Sequence, residues 1–116
     1  MQVYKKAYKQ ALDLYELTKK LPKEEAYGMT SQIRRATVGI PLCIAEGYGK
    51  QETGKELLRF LSMARGSSAE VEVLLDFARD FGYISEGDHQ GAMGAQEEVG
   101  RMLTGLMKPI ASKGLN

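Results

Sequence analysis

Several residue types that build enzyme sites and disulfide-bonded folds are scarce in this sequence. There is one cysteine and one histidine, so an internal disulfide is impossible, as is a metal site that requires two histidines. No segment is long and apolar enough to cross a bilayer. The first residues also lack the apolar core and cleavage pattern of a signal peptide. From these absences we expect a cytoplasmic protein whose fold depends on neither disulfides nor a membrane.

Neither sign of charge dominates. The chain has 16 basic and 15 acidic side chains, for a net charge of +1. This balance argues against a protein that coats nucleic acid through its overall charge, although it permits a local basic surface. With 116 residues, of which 43% are hydrophobic, the sequence predicts one domain over residues 1–116 with its own core.

Apolar residues recur at helical spacing in four segments, and no segment alternates as a strand would. The first helix is predicted from Gln2 to Lys20, ending before Pro22. The second begins with an N-cap at Thr30 or Ser31, kinks at Pro41 and stops at Gly47.

A capping box at Thr53-Gly54-Lys55-Glu56 is predicted to open the third helix, which Gly82 ends. The fourth helix opens at Ser85-Glu86-Gly87-Asp88, with its acidic residues serving as caps. Four amphipathic helices with short connections predict an all-α fold, an antiparallel up-down four-helix bundle.

Two expectations concern packing. The tyrosines and methionines fall mostly at helical spacing, so Tyr4, Tyr8 and Tyr15 are expected to line the core stripe of the first helix. The small residues Gly66–Ala69 are expected to let the second helix approach the third around Ala36 and Gly39. Leucine at Gly66 would then overpack this contact.

Two patterns resemble nucleotide-binding or metal motifs, and each has a simpler explanation. The segment 49–56 nearly matches a phosphate-binding loop, but Glu56 replaces the required hydroxyl and no strand precedes it. Glu86 and His89 form one Glu-x-x-His pair, whereas a di-iron bundle needs two. His89 is therefore interpreted as a surface residue and Cys43 as a small buried hydrophobe. We expect no catalytic site, metal, cofactor or small-molecule substrate.

One group of residues has the composition of a nucleic-acid contact surface. Its five basic side chains are placed around the connection between helices 2 and 3: Arg34, Arg35, Lys50, Lys55 and Arg59. Two interpretations remain open. The side chains contact phosphates, or they pair with the neighbouring Glu46, Glu52 and Glu56, with Arg34 or Arg35 partly buried against Glu46.

Several blocks of the chain resemble one known family. They are Gln32-Ile33-Arg34-Arg35-Ala36, Ile40-Pro41, Ile44-Ala45-Glu46-Gly47, Phe60-Leu61 and Ala64-Arg65-Gly66-Ser67, with Leu21-Pro22, Glu70 and Gly82-Tyr83 in support. This pattern is similar to that of the four helix bundle proteins, also called 23S ribosomal RNA intervening-sequence or S23-type proteins. The resemblance extends from Tyr4 to about Leu106. The sequence departs from it at Gly39, Leu42 and Cys43, where the family usually has serine and asparagine.

The resemblance implies ring-like homopentamers that bind RNA or a ribonucleoprotein and catalyse no assigned reaction. The alternative that it implies is a protein-interaction adaptor, such as an accessory subunit of the reverse transcriptase of a diversity-generating retroelement. The residues give an independent reason to expect an oligomer. Phe60, Met63, Val73 and Phe77 lie outside the main apolar face of the third helix, and an exposed apolar patch usually marks an interface.

Overall fold

The computed structural model describes residues 1–50 and 53–113 and consists of four long helices. They are α1 (Gln2–Leu17), α2 (Met29–Lys50), α3 (Gly54–Asp80) and α4 (Glu86–Ser112). Two 3-10 turns, Thr18–Lys20 and Lys23–Glu25, connect α1 to α2. The predicted all-α bundle is confirmed, and its long axis measures 47 Å.

The helices pack in a closed cycle. Each is in contact with the two beside it, because α1 packs on α2 and α4, and α3 packs on α2 and α4. Among the described residues, no Cα atom of α1 lies within 8 Å of one in α3, and the same holds for α2 and α4. The core lies between the four helices and is formed by buried aliphatic side chains, chiefly Leu14, Ile33, Ile40, Ile44, Leu61, Val71, Leu75, Val99 and Leu103.

A hydrogen-bonded polar layer crosses the middle of this core. Gln96 of α4 is fully buried, and its Nε2 donates to Oγ of Ser68 on α3 at 2.8 Å. Gln10 of α1 donates from Nε2 to Oε1 of Gln96 at 3.2 Å and to the carbonyl of Ala92 at 3.0 Å. The layer therefore joins three helices through one glutamine. Thr37 on α2 is equally buried, but its hydroxyl has no partner among the described residues.

The N-terminus of α2 lies before both predicted N-cap residues and is capped differently. Neither Thr30 nor Ser31 is the N-cap, because the helix begins at Met29. The Glu25 carboxylate accepts from the Met29 backbone N–H at 3.1 Å and from the Tyr83 hydroxyl at 2.9 Å. A Cβ at Gly28 would lie 2.9 Å from that carboxylate, so glycine leaves room for the cap.

The prediction that α2 stops at Gly47 is wrong. The helix continues through Pro41 and Gly47 to Lys50. Gly47 instead permits a close helix contact, because a Cβ there would lie 2.9 Å from Cβ of Phe60 and 3.2 Å from Cδ1 of Leu57. The glycine that ends the Ile-Ala-Glu-Gly block thus lets α2 approach α3.

The predicted contact at Gly66 is also wrong. Gly66 is exposed, and nothing lies within 4 Å of a Cβ built there. The approach of α2 to α3 uses the next residue, since a Cβ at Gly39 would lie 3.5 Å from Oγ of Ser67. Ala36 is buried, as expected.

The remaining helix ends largely follow the sequence prediction. Thr53 caps α3 by accepting from the Glu56 backbone N–H at 3.1 Å, although the Glu56 side chain turns to Arg59 and does not complete the box. Ser85 and Asp88 form a full capping box on α4. Gly82 has φ +80° after α3, with the Tyr83 N–H bonded to the Ala78 carbonyl at 2.9 Å, which closes a Schellman motif.

Two glycine variants test the packing of α2 against α3. Gly47→Ala is expected to lower the free energy of unfolding by about 1–3 kcal/mol, because the added methyl overpacks against Phe60. Gly94→Ala on α4 is the matched control, and it should raise the free energy of unfolding by about 0.5–1 kcal/mol, since its Cβ meets open space. Chemical denaturation at one protein concentration measures both. Equal effects of the two variants would contradict the close contact at Gly47.

Candidate nucleic-acid interface

Arg34 lies at the end of the bundle where α1 gives way to its 3-10 turn. Its Nε donates to Oγ1 of Thr18 at 2.9 Å and its Nη2 donates to the carbonyl of Tyr15 at 3.2 Å. The guanidinium carbon also stacks 4.7 Å from the centre of the Tyr15 ring. The predicted pairing with Glu46 is therefore absent for Arg34, whose contacts hold α1 against α2.

Arg35 is exposed on the outer face of α2, and no side-chain partner for it is present in the described part of the chain. Sixteen residues separate Arg34 from Lys50, which corresponds to about 24 Å of helix. Arg34 and Arg35 therefore lie far from the α2–α3 connection. The five basic residues do not form one cluster.

Lys50, Lys55 and Arg59 do lie at the same end of the bundle. Lys50 ends α2, and Lys55 and Arg59 are one turn apart at the start of α3. Lys50 Nζ is 3.8 Å from Glu46 Oε2, and Arg59 Nη2 is 2.8 Å from Glu56 Oε1. Pairing with Glu46 and Glu56 is thus confirmed, whereas Glu52 lies outside the described residues. Lys55 is exposed and has no ion-pair partner among them.

Arg59 and Glu56 form the closest charge pair at this end. The hydrogen bond from Arg59 lowers the pKa of the Glu56 carboxyl, and the same bond raises the pKa of Arg59, with Glu46 adding a smaller effect. The Arg59 guanidinium also stacks 4.4 Å from the centre of the Phe60 ring. Arg59 is held in place by these contacts, while Lys55 is exposed and pairs with no acidic side chain of the described residues.

The structure adds two basic residues to this end that the sequence analysis missed. Lys108 and Lys113 are exposed in and just after the last turns of α4. A Cβ at Gly54, which begins α3, would lie 3.4 Å from Cγ2 of Ile110, so the C-terminal turns of α4 pack beside the start of α3. We call Lys50, Lys55, Arg59, Lys108 and Lys113 the basic end. No local sequence signal links the last two to the others, because Lys108 follows Arg59 only after nearly fifty residues.

Three lysines form a second group that the sequence analysis did not single out. Lys5, Lys6 and Lys9 line the groove between α1 and α4. Lys6 pairs with Glu98 at 3.0 Å and Lys9 with Asp13 at 2.8 Å. Their crowding within five residues was the available signal. Because two of the three are paired, this groove carries less free charge than the lysines alone suggest.

His89 is buried, so its interpretation as a surface residue is wrong. Its Nε2 lies 2.8 Å from Asp76 Oδ1 and 3.4 Å from Nη1 of Arg79. These contacts join the start of α4 to the last turns of α3. Oε1 of Glu86 lies 3.9 Å from Nη1 of Arg79. The described residues contain no group of three His, Cys, Asp or Glu side chains placed to hold a metal.

The positions that depart from the family pattern are not equivalent. Gly39 faces Ser67 of α3, whereas Leu42 is exposed. Cys43 is half-buried against the core, so it is less enclosed than predicted. Burial, with a smaller contribution from Glu46, raises the pKa of its thiol. The raised pKa disfavours the thiolate that a nucleophile needs.

A family model described as 23S rRNA-intervening sequence protein matches residues 1–105. The chain belongs to this family. The family description names an RNA gene element and no reaction. Two residues of the family motifs have structural roles in this chain. Arg34 donates a hydrogen bond to Thr18 at the end of α1, and Gly47 lets Phe60 of α3 pack closely against α2.

A solved structure supports the fold of this chain. The chain is similar to a protein of unknown function from the S23 ribosomal protein family of Bacteroides thetaiotaomicron, with a TM-score of 0.82 and 19% sequence identity. The alignment covers 91% of this chain and 98% of that protein. At this identity the likeness shows the shared fold. No curated protein matches the sequence. Within the described ranges, no helix is long and apolar enough to span a membrane.

Proposed function

We propose that this chain is a non-enzymatic, homo-oligomeric protein of the cytoplasm that binds RNA or a ribonucleoprotein. The observation that carries the proposal is the match of residues 1–105 to the 23S rRNA-intervening sequence family. The net charge of +1 means that any phosphate contact depends on a local surface rather than on the whole chain.

The basic end is the part of the bundle that best supports such a contact. Lys55, Lys108 and Lys113 are exposed and have no ion pair with a described residue, while Lys50 and Arg59 each have one acidic partner. Ion pairs between exposed side chains are weak, so a phosphate can compete for Lys50. In an oligomer, each copy would repeat the same end. Multivalency would then raise apparent affinity without a new contact.

The test compares two double variants with equal charge loss. Lys50→Ala with Lys55→Ala should weaken RNA binding similarly across sequences and reduce the slope of log affinity against log salt by about two. Lys19→Ala with Lys23→Ala, at the opposite end of the bundle, is the control and should leave both quantities unchanged. Fluorescence anisotropy with a labelled RNA fragment at several salt concentrations provides the measurement.

Stability should not change in either double variant by more than about 0.5 kcal/mol, because all four side chains are exposed. Equal weakening by the two pairs would show that binding follows net charge and not the basic end. If no RNA bound even at low salt, the proposal of direct RNA binding would be wrong.

The second candidate function is an adaptor that holds another protein, such as a reverse transcriptase. The observation that favours it is the set of exposed apolar side chains on the outer faces of α1, α2 and α3, including Leu12, Leu42 and Phe77. Binding through such faces would depend little on salt. The salt series therefore distinguishes the adaptor from the RNA-binding protein.

A further inference from the structure

The charged side chains of this bundle are unevenly distributed along its long axis. The polar layer marks a plane across the middle, because it joins Gln10, Ser68 and Gln96 of three helices, and Gly39 of α2 faces the residue before Ser68. Four ranges lie on the side of the basic end: 1–9, 40–50, 53–67 and 97–113. Residues 11–38 and 69–95 lie on the other side. We call the two sides the basic half and the acidic half.

The two halves have net charges of opposite sign. Among the described residues, the basic half contains ten basic and four acidic side chains, and the acidic half contains six basic and ten acidic ones. Their net side-chain charges are therefore +6 and −4, although the whole chain has only +1. Glu52, which lies outside the described residues, would not change either sign. Helix dipoles do not create the difference, since each end has two helix N-termini and two C-termini.

The length of the bundle makes its two ends electrostatically independent at physiological salt. The long axis measures 47 Å, and the Debye length is about 8 Å at an ionic strength of about 0.15 M. Carboxylates at the far end of the acidic half therefore have little effect on a phosphate at the basic end. A polyanion that approaches the basic half meets the field of a basic protein, which the net charge of the whole chain conceals.

The outer surface of α1 separates its aromatic side chains from its basic ones. Tyr4, Tyr8 and Tyr15 are exposed, so the expectation that they line the core is wrong. Tyr8 and Tyr15 border a groove between α1 and α2, whereas Lys5 and Lys6 line the groove between α1 and α4. The basic side chains at the start of α1 therefore lie on the α1–α4 side of the bundle.

The outer face of α3 lies on the side of the bundle opposite α1 and carries several apolar side chains. Met63, Val73 and Phe77 are exposed there, as predicted, whereas Phe60 is buried and its predicted place outside the main face is wrong. Apolar side chains do not bind phosphate, so these residues do not extend the basic end.

Two cations on the α1–α4 side do extend it. Lys5 of α1 and Arg101 of α4 are exposed, and neither has an ion pair with a described residue. Lys6, the neighbour of Lys5, pairs with Glu98 at 3.0 Å. Arg101 follows Glu98 by three residues, so helical spacing places it on the same side of α4. We call Lys5 and Arg101 the basic flank.

We propose that the RNA-contacting surface is the basic half as a whole, continuing from the basic end onto the basic flank, and that the acidic half faces away from the RNA. This inference rests on the RNA binding in the proposed function. It adds Lys5 and Arg101 to the site and fixes which half of the bundle contacts RNA. An RNA that followed the full length of the bundle would place its phosphates beside the carboxylates of the acidic half, which like charge disfavours.

Two double variants with equal charge loss test the basic flank. Lys5→Ala with Arg101→Ala should weaken binding of a fluorescently labelled RNA hairpin roughly tenfold at about 0.15 M salt, and should lower the salt slope by about two. Lys23→Ala with Arg35→Ala is the matched control in the acidic half. It also removes one exposed lysine and one exposed arginine that have no ion pair with a described residue, and it should change the affinity less than twofold.

A second comparison removes acidic side chains and tests the orientation of the bundle. Glu46→Gln with Glu56→Gln releases Lys50 and Arg59 in the basic half and should tighten RNA binding about fivefold to tenfold. Glu24→Gln with Asp80→Asn raises the net charge equally but in the acidic half. Screening over the length of the bundle should keep its effect below twofold at about 0.15 M salt.

Controls keep both comparisons interpretable. Circular dichroism should show the helix content of the wild type in all four double variants, and light scattering should show its mass, so that neither unfolding nor altered association enters the affinities. Lys5→Gln with Arg101→Gln replaces the alanine pair if that pair loses helix content.

The failure of this inference is distinguishable from that of the proposed function. If Lys50→Ala with Lys55→Ala weakens RNA binding and the basic-flank pair does not, the proposed function stands and the extension to Lys5 and Arg101 is wrong. If an acidic-half pair changes the affinity as much as its counterpart, the RNA contacts both halves and the proposed orientation is wrong. If no RNA binds even at low salt, both proposals are overturned.

Discussion

Gln96→Ala is expected to lower the free energy of unfolding by roughly 2–4 kcal/mol, the largest effect of any single change considered for this bundle. Gln96 is fully buried and is bonded to Ser68 on α3 and Gln10 on α1. Truncation leaves a cavity in the centre of the core. It also removes the partner that these two buried groups share.

A second variant separates the contribution of the cavity from that of the lost hydrogen bonds. Gln96→Leu keeps most of the side-chain volume but still removes the hydrogen bonds. It should cost less than Gln96→Ala, because Gln10 retains the Ala92 carbonyl and the Ser68 hydroxyl can turn to a carbonyl of its own helix. The difference between the two variants estimates the contribution of the cavity.

Thr37→Val is the control for the idea that partnered polar groups stabilise this core. Its hydroxyl is fully buried and has no partner in the described structure, so an isosteric apolar side chain should raise the free energy of unfolding by about 1 kcal/mol. Chemical denaturation at fixed protein concentration measures all three variants, since association would otherwise shift the apparent stability. A Gln96→Ala protein as stable as wild type would show that the polar layer contributes nothing.

The aliphatic core could be predicted from spacing, whereas the polar layer could not. Ile33, Ile40 and Ile44 are spaced by seven and four residues, and all three are buried as predicted. Gln10 and Gln96 also lie on the buried faces of their helices. However, no local pattern shows that two glutamines 86 residues apart will meet. Their burial depends on mutual hydrogen bonding, which exists only after the helices have packed.

The tyrosines show why periodicity alone misplaces a core face. Tyr4, Tyr8 and Tyr15 repeat as regularly as a buried stripe, yet the side of α1 that packs inward carries smaller residues such as Ala7 and Ala11. A tyrosine ring in place of Ala7 or Ala11 would hold the neighbouring helices farther apart. A regular apolar row can therefore mark an interface with another molecule as well as the core.

The candidate site was only partly predictable for a geometric reason. Residues close in sequence on a long helix can lie at opposite ends of the bundle, as Arg35 and Lys50 do along α2. Residues far apart in sequence can be neighbours, as Lys55 and Lys108 are at the basic end. In an up-down bundle, the helix ends that meet are known only once helix lengths and directions are fixed.

Arg34→Ala and Arg35→Ala change adjacent residues of the same type and are expected to have very different effects. Arg34→Ala should lower the free energy of unfolding by about 2 kcal/mol, because it removes the bonds to Thr18 and to the Tyr15 carbonyl. The Thr18 side chain is buried, so its hydroxyl would lose a charged partner that water cannot readily replace. The end of α1 would also lose the stacked guanidinium.

Arg35→Ala removes the same charge from an exposed position on the next residue. Its effect on the unfolding of the isolated chain should stay within about 0.5 kcal/mol. Both variants should be denatured at the same protein concentration, after light scattering has shown that they have the same mass, so that a loss of association does not enter the comparison. Equal stability losses in the two variants would contradict the assignment of Arg34 to the α1–α2 contact. The comparison therefore separates two residues of one family motif, of which Arg34 holds two helices together and Arg35 is exposed.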